Sequence, residues 1–344
     1  MSFLDNGLQG WILEEMKKAR VIRIGAIGDS VFVTPLLKQL KKDGYHITFY
    51  GSKIAHDVLK YNPNVDEWII HNHDNKMTNA ELFEMWDKTS NEYDKDINLS
   101  MSIEQTLLKE ENTDAFYWSH NKRHEECNVN YQDRTMAIGG YPNMIGETGE
   151  LHLSSFEESQ ARQFKKKHKG KFIILWALSG SSFHKAYPYA EFIMKGLVSK
   201  YKDILILNVG DSFCEVLDIP HEYQIKNYAG KWSIRKTMAM TKYADLVVGS
   251  ETGVLNFASC FETPKIIFLS HSSDENLTKY WVNATVFKPN VPCYPCHRLI
   301  YTLDACPTDK IFNSPLCTTA IKPSDVFMKI ESIYKNKNKL KEAE

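Results

Sequence analysis

Three short stretches place chemically capable residues at the ends of apolar runs. In the first, RIGAIGDSVF (23–32), an apolar run breaks into Gly25 and Gly28, and the chain resumes as a helix carrying Asp29 at its start. A carboxylate there is either a helix cap, a role that suits Asp, or a proton acceptor presented to a ligand. The cap alone leaves the two glycines unexplained, because glycine is needed where backbone or ligand must come close. Gly28 and Ser30 flank the acid and are candidate acceptor contacts.

The second stretch, LSGSSFHKAYPYAEF (178–192), joins Ser179, Gly180, Ser181 and Ser182 to Lys185 ahead of a helix that Pro188 introduces. Small residues leading into a helix offer backbone N–H groups and hydroxyls to an anion, and Lys185 adds a point charge. The plain alternative is a polar turn with an incidental lysine. GxxxxGK[ST] is absent, so a nucleoside triphosphatase is not indicated. The third stretch, VVGSETGVLNFASC (247–260), puts Glu251, Thr252, Gly253 and Asn256 where a buried strand turns into a helix, a second anion or ribose position. Two such positions in one half of the chain describe a bound diphosphate.

Other residues attract attention less sharply. His271, Ser272 and Asn276 follow an apolar run and are candidate contacts for a donor sugar or phosphate. Trp232 and Ser233 precede a helix, where the indole either stacks on a nucleobase or belongs to the core. Asn98 and Ser100 close another apolar stretch, and Arg123 lies in RHEECNVNY (123–131), which is an acceptor contact or an ordinary polar surface helix. Cys293, Cys296, Cys306 and Cys317 follow C-x2-C-x9-C-x10-C, a spacing compatible with a structural zinc site; free thiols or disulfides are the alternative. CYPCH also matches a c-type haem string, but nothing directs the chain to export. Cys127, Cys214 and Cys260 read as core residues.

The elements that must position these residues form two alternating strand–helix arrays. Apolar runs at 21–24, 46–50, 66–71 and 94–100 make the first; runs at 172–178, 204–210, 244–250 and 265–270 make the second. Short, nearly continuous apolar strands separated by helices indicate doubly wound α/β sheets covered on both faces. The expected domains are 1–155 for the acceptor and 156–322 for the donor nucleotide, the latter with a cysteine-rich segment at 290–319. A helix and tail at 323–344 are expected to return to the first domain. GAIGDS lacks the third glycine of GxGxxG and no acid ends the second strand, which argues against a nicotinamide enzyme.

With 344 residues and 43% hydrophobic content the chain can bury two cores. Residues 1–150 hold 16 Lys and Arg against 24 Asp and Glu, and the remainder holds 26 against 19. That skew fits a second half that handles a phosphate-bearing ligand, although exposed charge is often only solvated surface. No run approaches the roughly 20 apolar residues of a membrane span, and seven cysteines suit a reducing compartment, so a cytoplasmic protein is expected.

GAIGDSVFVTPLLKQLKK, INLSMSIEQTLL, WALSGSSFHKAYPYAEF and VVGSETGVLNFASCFETPKIIFLSHSS, in that order, resemble the ADP-heptose:lipopolysaccharide heptosyltransferases of glycosyltransferase family 9. The resemblance covers most of the chain. It implies a GT-B fold, two Rossmann-like domains facing a cleft. It also implies that Asp29 is the general base, that Ser181, Ser182 and Lys185 hold the nucleotide diphosphate, and that Glu251, Thr252 and Gly253 lie near ribose and phosphates. Glu251 stands where the family commonly has Asp, and Asn256 where it has His. The expected function is inverting, metal-independent transfer from a nucleotide-diphosphate sugar to an acceptor hydroxyl, such as that of a surface glycan. A hydroxymethylated pyrimidine in phage DNA is the alternative acceptor, since some similar strings belong to phage-encoded proteins. A non-catalytic nucleotide-sugar binder is the third reading.

Overall fold

A computed structural model describes residues 16–71, 77–100, 117–180, 185–212, 214, 222–298 and 306–343. The first unit alternates β1 (Lys18–Arg23), α1 (Ile27–Phe32), α2 (Thr34–Lys42), β2 (His46–Gly51), α3 (Lys53–Leu59), β3 (Glu67–Ile70), α4 (Asn79–Lys88) and β4 (Lys95–Asn98). Two helices close it, α5 (His120–Cys127) and α6 (Tyr131–Ile138). Its strands pair in parallel in the order β3-β2-β1-β4. The helix expected to run on from Asp29 is broken at Val33 into α1 and α2, because Pro35 lacks the N–H that a continuous helix would use there. Val31, Leu36, Leu37 and Leu40 are all fully buried beneath β1 and β2. Each such side chain contributes about 2 kcal/mol of burial.

The second unit comprises α7 (Ser155–Lys167), β5 (Phe172–Ala177), α8 (Ala190–Lys200), β6 (Ile204–Val209), β7 (Ile225–Asn227), α9 (Ile234–Tyr243), β8 (Leu246–Ser250), α10 (Gly253–Ser259), β9 (Lys265–Phe268), β10 (Ala284–Phe287), α11 (Leu316–Thr319) and α12 (Pro323–Ala343). Its parallel sheet has the order β10-β9-β8-β5-β6-β7. Every residue of β5, β6, β8 and β9 is buried, as expected of strands covered on both faces.

Strand order reverses between β1 and β4 in one sheet and between β5 and β8 in the other. Open parallel sheets bind ligands outside the carboxyl ends of strands at such reversals. Asp29 follows β1, Lys185 follows β5, and Glu251 follows β8.

Helix α12 corrects one expectation. Val326, Ile330 and Tyr334, at helical spacing, face Phe172, Leu197 and Ile204 in the core of the second unit, and Phe327 lies against Gly196 of α8. Among the described residues it therefore packs on the second unit, whose core supplies the apolar partners of its buried stripe. Among the described residues no helix is long and apolar enough to cross a membrane.

Candidate active site

The two reversals meet. A Cβ added to Gly28 would come within 2.5 Å of Asn256 Nδ2, and one added to Gly253 within 2.5 Å of Ile27. The starts of α1 and α10 are thus pressed together from opposite units, and glycine is the residue that permits the approach. Gly25 has a different function: a Cβ there would lie 2.4 Å from Asp29 Oδ2. The carboxylate folds back over it and accepts a hydrogen bond from the Ala26 N–H at 2.6 Å. Its other oxygen, Oδ1, lies 2.6 Å from Arg23 Nη2. Asp29 is therefore an acid in the first turn of α1 rather than its preceding cap residue, and it is held from two sides.

On the second unit, Glu251 is buried, and its Oε1 accepts from the Ser270 N–H at 2.5 Å and the Ser272 N–H at 3.2 Å. Its Oε2 pairs with His271 Nδ1. Burial works against its charge, but His271, Lys185 and the Ser270 N–H outweigh that and hold it below the usual carboxylate range. Gly180 lies between Lys185 and Thr252: an added Cβ would sit 2.9 Å from Lys185 Cδ and 3.1 Å from Thr252 Cγ2. The lysine stem, Thr252 and Glu251 thus converge at the end of β8. Among the described residues, Thr252 Oγ1, Ser270 Oγ and Asn256 Oδ1 are buried there without a hydrogen-bond partner. A buried orphan costs about 1–3 kcal/mol, which a polar ligand would relieve.

Several expected contacts are arranged differently. Ser30 Oγ donates to Ala26 O at 3.1 Å, and Ser100 Oγ accepts from the Ile24 N–H at 3.1 Å; both serines are buried. Asn98 Oδ1 accepts from the Ser100 N–H at 3.0 Å, which shapes the turn after β4. Arg123 is buried and donates to Trp118 O and, across the unit boundary, to Cys296 O. Ser30, Ser100 and Arg123 are buried and bonded to backbone, while Asn98 is half-buried. Trp232 stacks on Tyr228 with ring centroids 4.2 Å apart and meets Phe164 edge-on, so its ring is occupied by packing. Ser272 is buried beside His271, while Asn276 is buried with its Oδ1 capping Ser273. Ser179 is half-buried, and Ser181 and Ser182 lie outside the described residues.

Pairing between the units lay beyond sequence reading. His120 contacts Cys293 O at 3.2 Å, His124 Nδ1 lies 3.2 Å from His297 Nε2, and Arg235 of α9 binds Glu157, His152 O and Val58 O. Burial, then His124 and His271, push His297 down to about 3. No cysteine is in a disulfide. Burial raises the Cys317 thiol, and Cys306, Cys296, Glu251 and Cys293 raise it further, so the four cysteines are electrostatic neighbours. Among the described residues, no group of three or more His, Cys, Asp or Glu side chains is arranged to hold a metal ion.

No protein-family model and no curated protein matches the chain. Solved structures do match. A glycosyltransferase family 9 protein from Veillonella parvula superposes with a TM-score of 0.65 at 15% identity, over 93% of this chain and 97% of that one. E. coli ADP-heptose lipopolysaccharide heptosyltransferase II gives 0.64 at 14%, over 93% and 99%. TibC from enterotoxigenic E. coli, described as a dodecameric iron-containing glycosyltransferase, gives 0.61 at 13%, over 94% and 77%. With both parallel sheets and the opposed strand ends accounted for over nearly its whole length, the chain has the GT-B fold of the family 9 glycosyltransferases.

Proposed function

We propose that the protein transfers a sugar from a nucleotide-diphosphate donor to an acceptor hydroxyl with inversion at the anomeric carbon. One observation carries this reading: an anchored carboxylate on one unit stands across a close inter-unit contact from the converging Lys185, Thr252 and Glu251 on the other. Asp29 accepts the proton of the attacking hydroxyl. The acceptor oxygen bonds to the anomeric carbon from one face while the diphosphate leaves from the other. Lys185 meets the developing charge, and the Thr252 and Ser270 hydroxyls, unpaired among the described residues, supply donors. One TibC structure holds ADP-D-β-D-heptose, which makes ADP-heptose the first donor to assay.

Cys293, Cys296, Cys306 and Cys317 are proposed as a structural site with no part in the chemistry. They would fasten the segment preceding α11 (290–315), where four prolines and little periodic apolar character leave few other means of packing. The test of function is release of nucleoside diphosphate from a panel of nucleotide sugars, with surface-glycan acceptors in one arm and hydroxymethylated DNA in another. Donor-dependent product in the glycan arm is expected. Absence of product in every arm, with nucleotide still bound, would leave a non-catalytic binder.

A further inference from the structure

Glu251 and His271 sit at the carboxyl ends of neighbouring strands, β8 and β9. The carboxylate of Glu251 is buried and fully engaged, with two loop N–H groups on Oε1 and the imidazole on Oε2. That grip determines which nitrogen of His271 is available. Nδ1 carries the hydrogen directed at Glu251. Among the described residues Nε2 has one hydrogen-bond contact, Ser272 Oγ at 3.5 Å, and the side chain is 28% exposed at the ligand end of the sheet. The charged and titratable groups around the ring are Glu251, Lys185 beyond it, and His297, whose N–H donates to His271 O at 2.9 Å with His124 behind it. Ordering the loop would require only the two N–H bonds to Glu251. An imidazole added to them, with one nitrogen directed away, has the arrangement of a carboxylate-oriented hydrogen-bond donor.

We propose that His271 is a further catalytic residue of this site: with Nδ1 anchored on Glu251, its Nε2 hydrogen donates to the phosphate oxygen that departs from the donor sugar. The inference rests on the sugar-transfer reading above. In the step, the bond from acceptor oxygen to anomeric carbon forms as the bond from that carbon to the phosphate oxygen breaks. The bonding pair moves onto the phosphate oxygen, the acceptor proton passes to Asp29, and His271 keeps its proton while its hydrogen bond strengthens. The ring donates from both nitrogens only as imidazolium.

Calorimetry with ADP and AMP on the full chain, alongside turnover, tests this. His271→Gln should bind ADP about tenfold more weakly with AMP unchanged, as loss of one charge-assisted bond to the outer phosphate requires. Turnover should fall with the acceptor KM unchanged. Glu251→Asp, shorter by one methylene and unable to reach the ring, should reproduce the loss at a retained melting temperature. Wild-type ADP affinity in His271→Gln would overturn the proposal, as would a wild type with no affinity for ADP. A wild type that binds ADP through His271 yet transfers no sugar to any acceptor would overturn the transfer reading instead.

Discussion

Arg23, the last residue of β1, spans the turn it begins: its Nη1 donates to Leu99 O at 2.6 Å and its Nη2 lies 2.6 Å from Asp29 Oδ1. The guanidinium is buried, so it cannot swing away from the acid without losing both partners. It ties the carboxylate to β4 across the strand reversal. Asp29→Asn keeps the shape but cannot accept the acceptor's proton. Transfer should fall about 10²–10⁴-fold, the usual contribution of a positioned base. Calorimetry should show ADP affinity nearly intact, and substantial residual transfer would place the base elsewhere.

Lys185→Ala should weaken nucleoside diphosphate binding by about 1–3 kcal/mol, because one charged hydrogen bond to phosphate disappears. Nucleoside monophosphate should be affected less. Unchanged diphosphate affinity would remove the loop after β5 from the site.

Lys265 is fully buried at the start of β9, where its ammonium donates to Phe261 O and Val282 O. Burial pushes it down to about 8 from an ordinary 10.5. The unfolded chain therefore binds this proton more tightly, and stability from this group rises with pH between those values, by at most about 1.4 kcal/mol per pH unit. Against Lys265→Met, which cannot titrate, wild type should gain stability across that window in urea melts. Parallel pH profiles would refute the assignment.

Arg235 donates to Glu157 through two nitrogens, at 2.8 and 2.6 Å, and to two backbone carbonyls, one of them Val58 O in the other unit. Removing one partner of a buried pair typically costs about 3–5 kcal/mol. Arg235→Ala should lower the melting temperature and loosen α9 from α3, visible as faster amide exchange in both helices. Exchange unchanged in α3 would confine the effect to the second unit.

Elemental analysis of protein purified without added metal should find about one metal ion per chain if the four cysteines form a structural site. Cys296→Ser should then lower the melting temperature and leave turnover per folded molecule unchanged. Absence of metal with four titratable thiols would dismiss the site.

The strongly apolar strands were legible because both of their faces are buried: FIILWA, ILILNV and KIIF stand out against polar surroundings. IKN in β7 and ATVF in β10 were not, since edge strands of three and four residues carry little pattern. Around Asp29 the glycines announced a close approach. At Gly25 the approaching group is the carboxylate of Asp29, four residues on; at Gly28 it is Asn256, which depends on long-range packing that no local window contains. Ser30, Ser100 and Arg123 are engaged by hydrogen bonds to backbone, locally for Ser30 and over long sequence separations for Ser100 and Arg123, where no local window shows them. In α12 the apolar spacing was readable, while the sheet it would cover was not.

That return of α12 to its own sheet has an evolutionary corollary. Among the described residues the backbone passes from one unit to the other only once, through the stretch between α6 and α7. Each unit is therefore a contiguous block of sequence, and a single recombination joint near Ser154 would suffice to graft a different first unit onto the same second unit. Compatibility would be decided where the units meet: the glycine contacts beside Asp29, the Arg235 clamp, the meeting of α5 with the cysteine segment, and the bonds of Asn128, Asn130 and Asp133 to Ser273, Glu275 O and Tyr280. On the sugar-transfer reading proposed above, a lineage that kept those matched could change what receives the sugar while inheriting the machinery that delivers it.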